Sequence, residues 1–296
     1  MKLQQLRYFQ EVADSGFNLS KAAAVLHASQ PGVSRHIQLL EQELGISLLE
    51  RQSTRIAGLS AAGIALLPAV RRILMEADNL QRQARELARP GKTKFVIATT
   101  QTHARHTLLP VLKRYIELHP GIALQLRQGS VPRISQLLAD EIVDIGVATE
   151  PADEGELALL PCYRYEHTLI TPRRHPLLGR KRLTLGDLVP YPLITYDDRH
   201  RLGRVVREEF ARKGLQPNIV MSIIDDDIMK AYVESGFGIA ILPSMAYDPR
   251  KDRNLRALPV THLFEASTCY VMTKKGRYLE RHVRDFIDLV KATAAP

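Results

Sequence analysis

The run Phe17-Asn18-Leu19-Ser20-Lys21-Ala22-Ala23-Ala24-Val25-Leu26-His27-Ala28-Ser29-Gln30-Pro31-Gly32-Val33-Ser34-Arg35-His36-Ile37-Gln38-Leu39-Leu40-Glu41 decides how the rest of the chain is read. Two short helical patterns meet here across a polar break. Ala22, Ala23 and Leu26 on one side and Val33, Ile37 and Leu40 on the other are spaced to share a small core. Ser20 is placed to cap or support the first helix. Ser29, or Gln30 beside it, begins the second, and Pro31 stands where a missing backbone donor costs nothing. The small residues Ala22 and Ala23 let the helices cross closely, as in a helix-turn-helix. The second helix then exposes Ser29, Gln30, Pro31, Ser34, Arg35 and Gln38, and the polar ones among them are side chains of the kind that read base edges and flanking phosphates in a major groove. The competing reading is bland, since two short helices with a turn occur in many all-helical domains.

Working outward, Leu3, Leu6, Phe9, Val12 and Ala13 recur at helical spacing and complete a three-helix core. Gly45 ends the recognition helix in a left-handed conformation. Residues 46–60 read as a wing, with Ile46, Leu48 and Leu49 turned inward and Arg51, Thr54 and Arg55 near its tip. There they would hold phosphates or enter a minor groove, or simply lie in a solvated loop. Residues 61–89 read as one long amphipathic helix with the stripe Leu66, Val70, Ile73, Leu74, Ala77, Leu80, Ala84 and Leu87. Pro68 lies early in it, and Pro90-Gly91 ends it. A stripe this long is expected to pair with a second copy of itself, giving the two-fold axis that sets two recognition helices on one DNA face. Packing against its own monomer is the rival.

At this point the sequence resembles a known family. Leu3-Gln4-Gln5-Leu6-Arg7-Tyr8-Phe9, Ser20-Lys21-Ala22-Ala23, Ser29-Gln30-Pro31-Gly32-Val33-Ser34, Leu39-Leu40-Glu41-Gln42-Glu43-Leu44-Gly45 and Leu59-Ser60-Ala61-Ala62-Gly63 look like the N-terminal domain of the LysR-type transcriptional regulators, in the same order and spacing. The resemblance extends over the whole chain of 296 residues.

That length allows two or three domains with cores of their own, and an apolar content of 45% makes the chain globular. The formal net charge of +9 permits a polyanionic partner. Residues 1–90, however, carry 11 Lys and Arg against 8 Asp and Glu, so DNA binding rests on placement of side chains and not on a basic tail. Cys162 and Cys269 lie far apart and in no metal-ligand spacing, which points to free thiols in a reducing compartment. The start of the chain lacks the pattern of a signal peptide and no apolar run reaches membrane-spanning length, so the expected location is the cytoplasm, with no membrane partner.

Past residue 91 the pattern changes. Phe95–Ala98, Ile122–Leu126 and Ile142–Ala148 read as strands, separated by helices over Leu108–Ile116 and Ile134–Leu138. Alternation of this kind predicts a parallel sheet with helices on its faces. Leu157–Tyr163 is expected to lead out of this lobe. The logic then repeats, with strands at His167–Thr171, Pro192–Tyr196, Ile219–Ser222 and Gly238–Pro243, and helices at Leu202–Lys213 and Asp227–Ser235. Thr268–Met272 and Tyr278–Val290 return to the first lobe. The expected fold class is an N-terminal winged helix-turn-helix with a long linker helix, then a two-lobed α/β effector domain of the periplasmic-binding-protein type. The boundaries are 1–60 for the DNA-binding domain, 61–90 for the linker and dimerisation helix, and 91–296 for the effector domain, with 91–165 and 266–296 in one lobe and 166–265 in the other. A small molecule between two such lobes would favour their closure.

No catalytic constellation stands out: there is no glycine-rich phosphate loop, HExxH, paired-cysteine motif or nucleophile elbow, so no enzyme and no cofactor are expected. His103 and His106 lack a third ligand, so no metal is assigned. Asp225-Asp226-Asp227 reads as a helix start in preference to a cation site. The stretch with ligand character is Thr99-Thr100-Gln101-Thr102-His103-Ala104-Arg105, which follows a buried strand and opens a helix, a good position for an anion unless its hydroxyls only cap. Gln128-Gly129-Ser130 and Ala148-Thr149-Glu150 end neighbouring strands and are expected to line the same cleft.

This half sharpens the resemblance. Ile97-Ala98-Thr99-Thr100-Gln101-Thr102, Gln128-Gly129-Ser130, Ala148-Thr149-Glu150, Leu160-Pro161-Cys162-Tyr163 and Tyr191-Pro192-Leu193-Ile194-Thr195-Tyr196 look like the CysB/Cbl branch, which controls cysteine biosynthesis and sulfur assimilation. The resemblance implies a small anionic effector (sulfate, thiosulfate, a sulfonate or a related metabolite) with the branch's threonine-rich anion pocket on Thr100, Gln101 and Thr102. It also implies a homo-oligomer, dimer or tetramer, on double-stranded DNA; RNA polymerase is a further candidate partner. One stretch departs from the branch. Where it carries aromatic, glycine and threonine residues, this chain has Asp197-Asp198-Arg199-His200-Arg201-Leu202-Gly203. Arg201 then either grips the anion through a charge-assisted fork, shifts selectivity to a larger sulfonate, or pairs with Asp197 or Asp198. The rival functions are a two-lobed solute-binding protein without DNA-directed function and an enzyme on a two-lobed body.

Overall fold

The computed structural model describes residues 1–52, 55–88, 94–149, 155–198 and 200–293. Thr54, the Pro90-Gly91 junction, Glu150 and Arg199 lie outside the described residues. The chain divides into two compact units, Met1–Arg89 with Gly276–Tyr278 and Pro90–Lys275 with Leu279–Pro296.

In the first unit, α1 (Leu3–Asp14), α2 (Leu19–Val25) and α3 (Gln30–Leu44) are followed by an antiparallel pair, β1 (Leu49–Gln52) and β2 (Arg55–Leu59), and by α4 (Ala61–Ala88). Leu6, Phe9, Val12, Ala22, Ala23, Val33, Ile37 and Leu40 form one buried core. Ser29 caps α3 by accepting from the Gly32 amide at 3.2 Å, and Gly45 closes the helix at φ 71°. Asn18, not Ser20, caps α2: its side chain accepts from the Lys21 amide at 3.0 Å, while Ser20 donates to Gln30. Ile46 is exposed and does not turn inward; Leu48 and Leu49 do.

The long helix differs from expectation in an instructive way. Its apolar residues occupy two faces. Leu67, Val70 and Leu74 are buried against the core of their own unit, so this part of the stripe is covered within the chain. Ile73, Leu80 and Leu87 lie on another face, 42%, 68% and 85% exposed and seven residues apart. The helix runs through Pro68 without interruption.

The second unit holds two five-stranded sheets. The first contains β3 (Lys94–Thr99), β4 (Ala123–Gln128), β5 (Ile145–Thr149), β6 (Leu157–Tyr165) and β12 (Ser267–Lys274), in the order β4-β3-β5-β12-β6. Its helices are α5 (Gln101–His106), α6 (Leu108–Leu118), α7 (Val131–Ala139) and α11 (Arg281–Ala292). The second contains β7 (His167–Pro172), β8 (Leu193–Thr195), β9 (Ile219–Ser222), β10 (Ile239–Pro243) and β11 (Leu255–Pro259), ordered β11-β7-β10-β8-β9, with helices α8 (Leu185–Leu188), α9 (Arg201–Arg212) and α10 (Asp226–Glu234). The sheets are mixed and not purely parallel. β3, β4 and β5 run parallel, as do β8, β9 and β10, whereas β12 is antiparallel to β5 and β6, and β7 to β10 and β11. Leu157–Tyr165 does not leave the first lobe: as β6 it forms an edge of its sheet, and only Glu166 separates it from β7 of the next. The third strand begins at Ile145, later than the sequence pattern suggests. No helix among the described residues is long and apolar enough to cross a membrane.

Candidate functional site

Two sites emerge, one in each unit. In the first unit Gln30, Pro31, Arg35 and Gln38 are exposed on α3, Ser29 is exposed at its cap and Ser34 is half-buried. A groove between α3 and the wing is lined by Ser34, Ile37, Leu49, Arg51, Arg55 and Ile56. Arg51 is committed within the protein. Its Nη2 pairs with Glu41 Oε2 at 3.0 Å, while Glu41 Oε1 accepts from the amides of Leu48 at 2.8 Å and Leu49 at 3.2 Å. One carboxylate, largely shielded from solvent, thus sets the first wing strand on the recognition helix. Arg55 lies at the start of the second wing strand, exposed.

In the second unit a cavity of about 550 Å³ lies between the carboxyl ends of the first sheet and the start of α9. Thr100, Gln101, Thr102, Gln128, Ser130, Thr149 and Arg201 all line it, together with Asp197, His200, Arg204 and Ile224, which sequence reasoning had not assigned. Thr100 and Ser130 are the N-caps of α5 and α7, and neither makes a side-chain capping bond. Ordinary capping therefore does not account for these hydroxyls. The strand ends bring them together because β3, β4 and β5 are parallel neighbours, which puts the turns after all three at one end of the sheet.

Thr102 has a partner that spacing could not show. Its hydroxyl donates to Asp226 Oδ2 at 2.7 Å, across the joint between the sheets, and Tyr196 donates its phenol hydroxyl to Asp226 Oδ1. Gln101 donates its amide to Asp225, and Arg105 pairs with Asp227. The acidic run is therefore a helix start only in part. Asp225 does cap α10, accepting from the amides of Asp227 at 2.9 Å and Ile228 at 3.0 Å, but Asp226 is buried and serves the joint. Burial raises the Asp226 carboxyl above its usual range, against the pull of the Tyr196 and Thr102 hydroxyls.

The histidines around this joint are kept neutral. Burial holds His103 down to about 3, with His200 and His106 adding to the effect; its Nδ1 lies 2.8 Å from the Tyr163 hydroxyl. Burial likewise lowers His200 to about 4 despite nearby Asp197, and its ring stacks on Tyr196 with centroids 4.0 Å apart. His167 is lowered to about 4 by burial and by Arg201. Among the described residues no group of three His, Cys, Asp or Glu side chains is arranged to hold a metal.

These shifts predict how stability follows pH. Five histidines have folded values below the ordinary 6.5, His106 and His175 by burial as well as the three above. Between that value and about 4 the unfolded chain binds protons that the folded chain refuses, so stability is full above 6.5 and is lost as pH falls through the window. Asp226 opposes this, one group against five. A thermal midpoint that is level above neutrality and falls steadily below it is the expected result; a level midpoint through the same window would contradict the buried neutral cluster.

Residues 3–64 match the family "Bacterial regulatory helix-turn-helix protein, lysR family", and residues 88–295 match "LysR substrate binding domain". The chain is 40% identical to the HTH-type transcriptional regulator SsuR of Burkholderia cenocepacia over 290 residues, covering 98% of this chain and 94% of that one. It is 38% identical to the regulator cbl of Escherichia coli, covering 99% and 93%. The crystal structure of the cofactor-binding domain of the Cbl regulator superposes with a TM-score of 0.65 at 36% identity, over 68% of this chain and 89% of that one. Full-length CbnR in complex with its target DNA shares the fold, with a TM-score of 0.59 at 24% identity over 99% of this chain and 100% of that one.

Proposed function

This chain belongs to the LysR family of bacterial transcriptional regulators, and we propose that the molecule it responds to is a sulfur oxyanion or a sulfonated sulfur-pathway metabolite held in the cavity of the second unit. The family members it resembles are regulators, not enzymes, and the helix-turn-helix makes it a DNA-binding protein. The observation that carries the effector reading is the meeting of Thr100, Gln101, Thr102, Gln128, Ser130 and Thr149 with Arg201 and Arg204 around one cavity. Hydroxyls, amides and two guanidinium groups suit a ligand that only accepts hydrogen bonds and carries negative charge. Its likeness to SsuR, CysB and Cbl regulators supports the sulfur branch.

In this reading residues 1–60 bind DNA, 61–90 link and pair two copies, and 91–296 bind the effector. Ser29, Gln30, Pro31, Ser34, Arg35 and Gln38 meet the major groove, and Arg55 and Thr54 meet the backbone at the wing. The protein works in the cytoplasm as a dimer or tetramer, beside RNA polymerase. The effector test is calorimetry on the full chain with sulfate, thiosulfate and methanesulfonate. At least one should bind, and Arg201→Ala should weaken it by about tenfold or more, the cost of a lost charge-assisted bond. No binding by any of the three would remove the sulfur assignment; equal affinity in Arg201→Ala would move the anion elsewhere.

A further inference from the structure

The Thr102 hydroxyl carries a single proton, and that proton is given to Asp226. A hydroxyl can donate once only, so Thr102 cannot serve Asp226 and an acceptor-only anion at the same time. The Asp226 carboxylate is itself an oxyanion, presented from α10 to a side chain that also lines the cavity. Gln101 beside it gives one amide proton to Asp225 and, unlike the hydroxyl, has a second. Tyr196 holds the far oxygen of Asp226, so the carboxylate keeps a donor when Thr102 turns away.

We propose that Asp226 is an internal competitor for the effector: an oxyanion entering the cavity takes the Thr102 hydroxyl from it, so that Asp226 sets the affinity of the site and binding releases one bond across the joint between the sheets. This rests on the effector reading above. Exchange has a consequence that simple contact lacks. When Thr102 trades one anionic acceptor for another, deleting its hydroxyl costs little; once Asp226 stops competing, the same deletion costs a full bond. The two residues are therefore coupled, where two independent ligand contacts would simply add.

The test is sulfate binding to the full chain, by calorimetry, in wild type, Asp226→Asn, Thr102→Ala and the double variant. In D226N the new amide can donate to the Thr102 oxygen and leave its proton for sulfate, so affinity should rise by roughly tenfold. Thr102→Ala alone should change affinity by no more than about threefold, but should lose roughly tenfold in the D226N background. Tyr196→Phe keeps the ring on His200 and removes the second donor to Asp226, so it should weaken sulfate binding; this variant carries the test if D226N does not fold. Unchanged or weaker binding in D226N, or equal losses from Thr102→Ala in both backgrounds, would overturn the competition and leave the effector reading intact. Failure of sulfate to bind any variant would overturn the competition, and the effector reading would then be decided by thiosulfate and methanesulfonate.

Discussion

Placing aspartate at both Ile73 and Leu80 is expected to turn the assembly into monomers and abolish retention on an operator with two half-sites. These side chains sit seven residues apart on the face of α4 that its own unit leaves uncovered, and Leu87 continues the row. Seven-residue spacing is the seam of a two-helix coil. Across the two-fold axis proposed above, the double substitution would place four carboxylates where four apolar side chains would otherwise meet. Each buried Leu or Ile contributes about 1.5–3 kcal/mol, and each unpaired buried charge costs more than that. The fold of the monomer should survive, because Leu67, Val70 and Leu74 carry the contact with the helix-turn-helix core. Light scattering that finds the unaltered mass in the double variant, with circular dichroism unchanged, would place the interface elsewhere.

Gly203→Ala should do the most damage to the cavity of the second unit. Gly203 stands in the first turn of α9, two residues after the cavity residue Arg201. A methyl there would come within 2.6 Å of the Tyr196 carbonyl oxygen and closer still to that of Asp197. Those are backbone atoms, which cannot swing aside as a flexible side chain can. The helix must then move off the 196–198 segment, carrying Arg201 and Arg204 with it. Overpacking of this kind typically costs about 1–3 kcal/mol, and rigid neighbours put it at the upper end. A lower unfolding midpoint together with loss of anion binding is the expected result. Wild-type stability and affinity in the variant would show that the segment yields freely.

What the sequence disclosed about this protein follows the range of the interactions. The core of the first unit was legible from Ala22, Ala23, Val33, Ile37 and Leu40, because one turn of helix repeats every three or four residues. Of the two roles open to Ser20, capping α2 or supporting it, the cap goes to Asn18 two positions earlier, since both are good capping residues and only backbone geometry chooses, and Ser20 instead donates to Gln30. The stripe on α4 was seen but not separated into its two faces; Val70, Ile73 and Leu74 are near neighbours in sequence, and what divides them is where α1 lies. Strand β11 escaped notice because Leu255–Pro259 is short, interrupted by Arg256 and ended by proline, as an edge strand can be. In the cavity, Thr100, Ser130 and Thr149 could be grouped from the ends of three parallel strands. The Thr102 bond to Asp226 joins residues 124 apart, and the acidic run carried a sufficient local explanation as a helix start.

The Glu41 carboxylate has a bearing on how operator binding responds to salt. A basic side chain that neutralises a DNA phosphate frees the cation condensed there, and the number freed sets how steeply affinity falls as salt is added. Arg51 has already spent its charge on Glu41, so displacing a cation from DNA would require it first to abandon that pairing. With the wing on DNA as proposed, its share of the ionic dependence would fall chiefly to Arg55, and the count of ions released would lie below the count of arginines that line the groove.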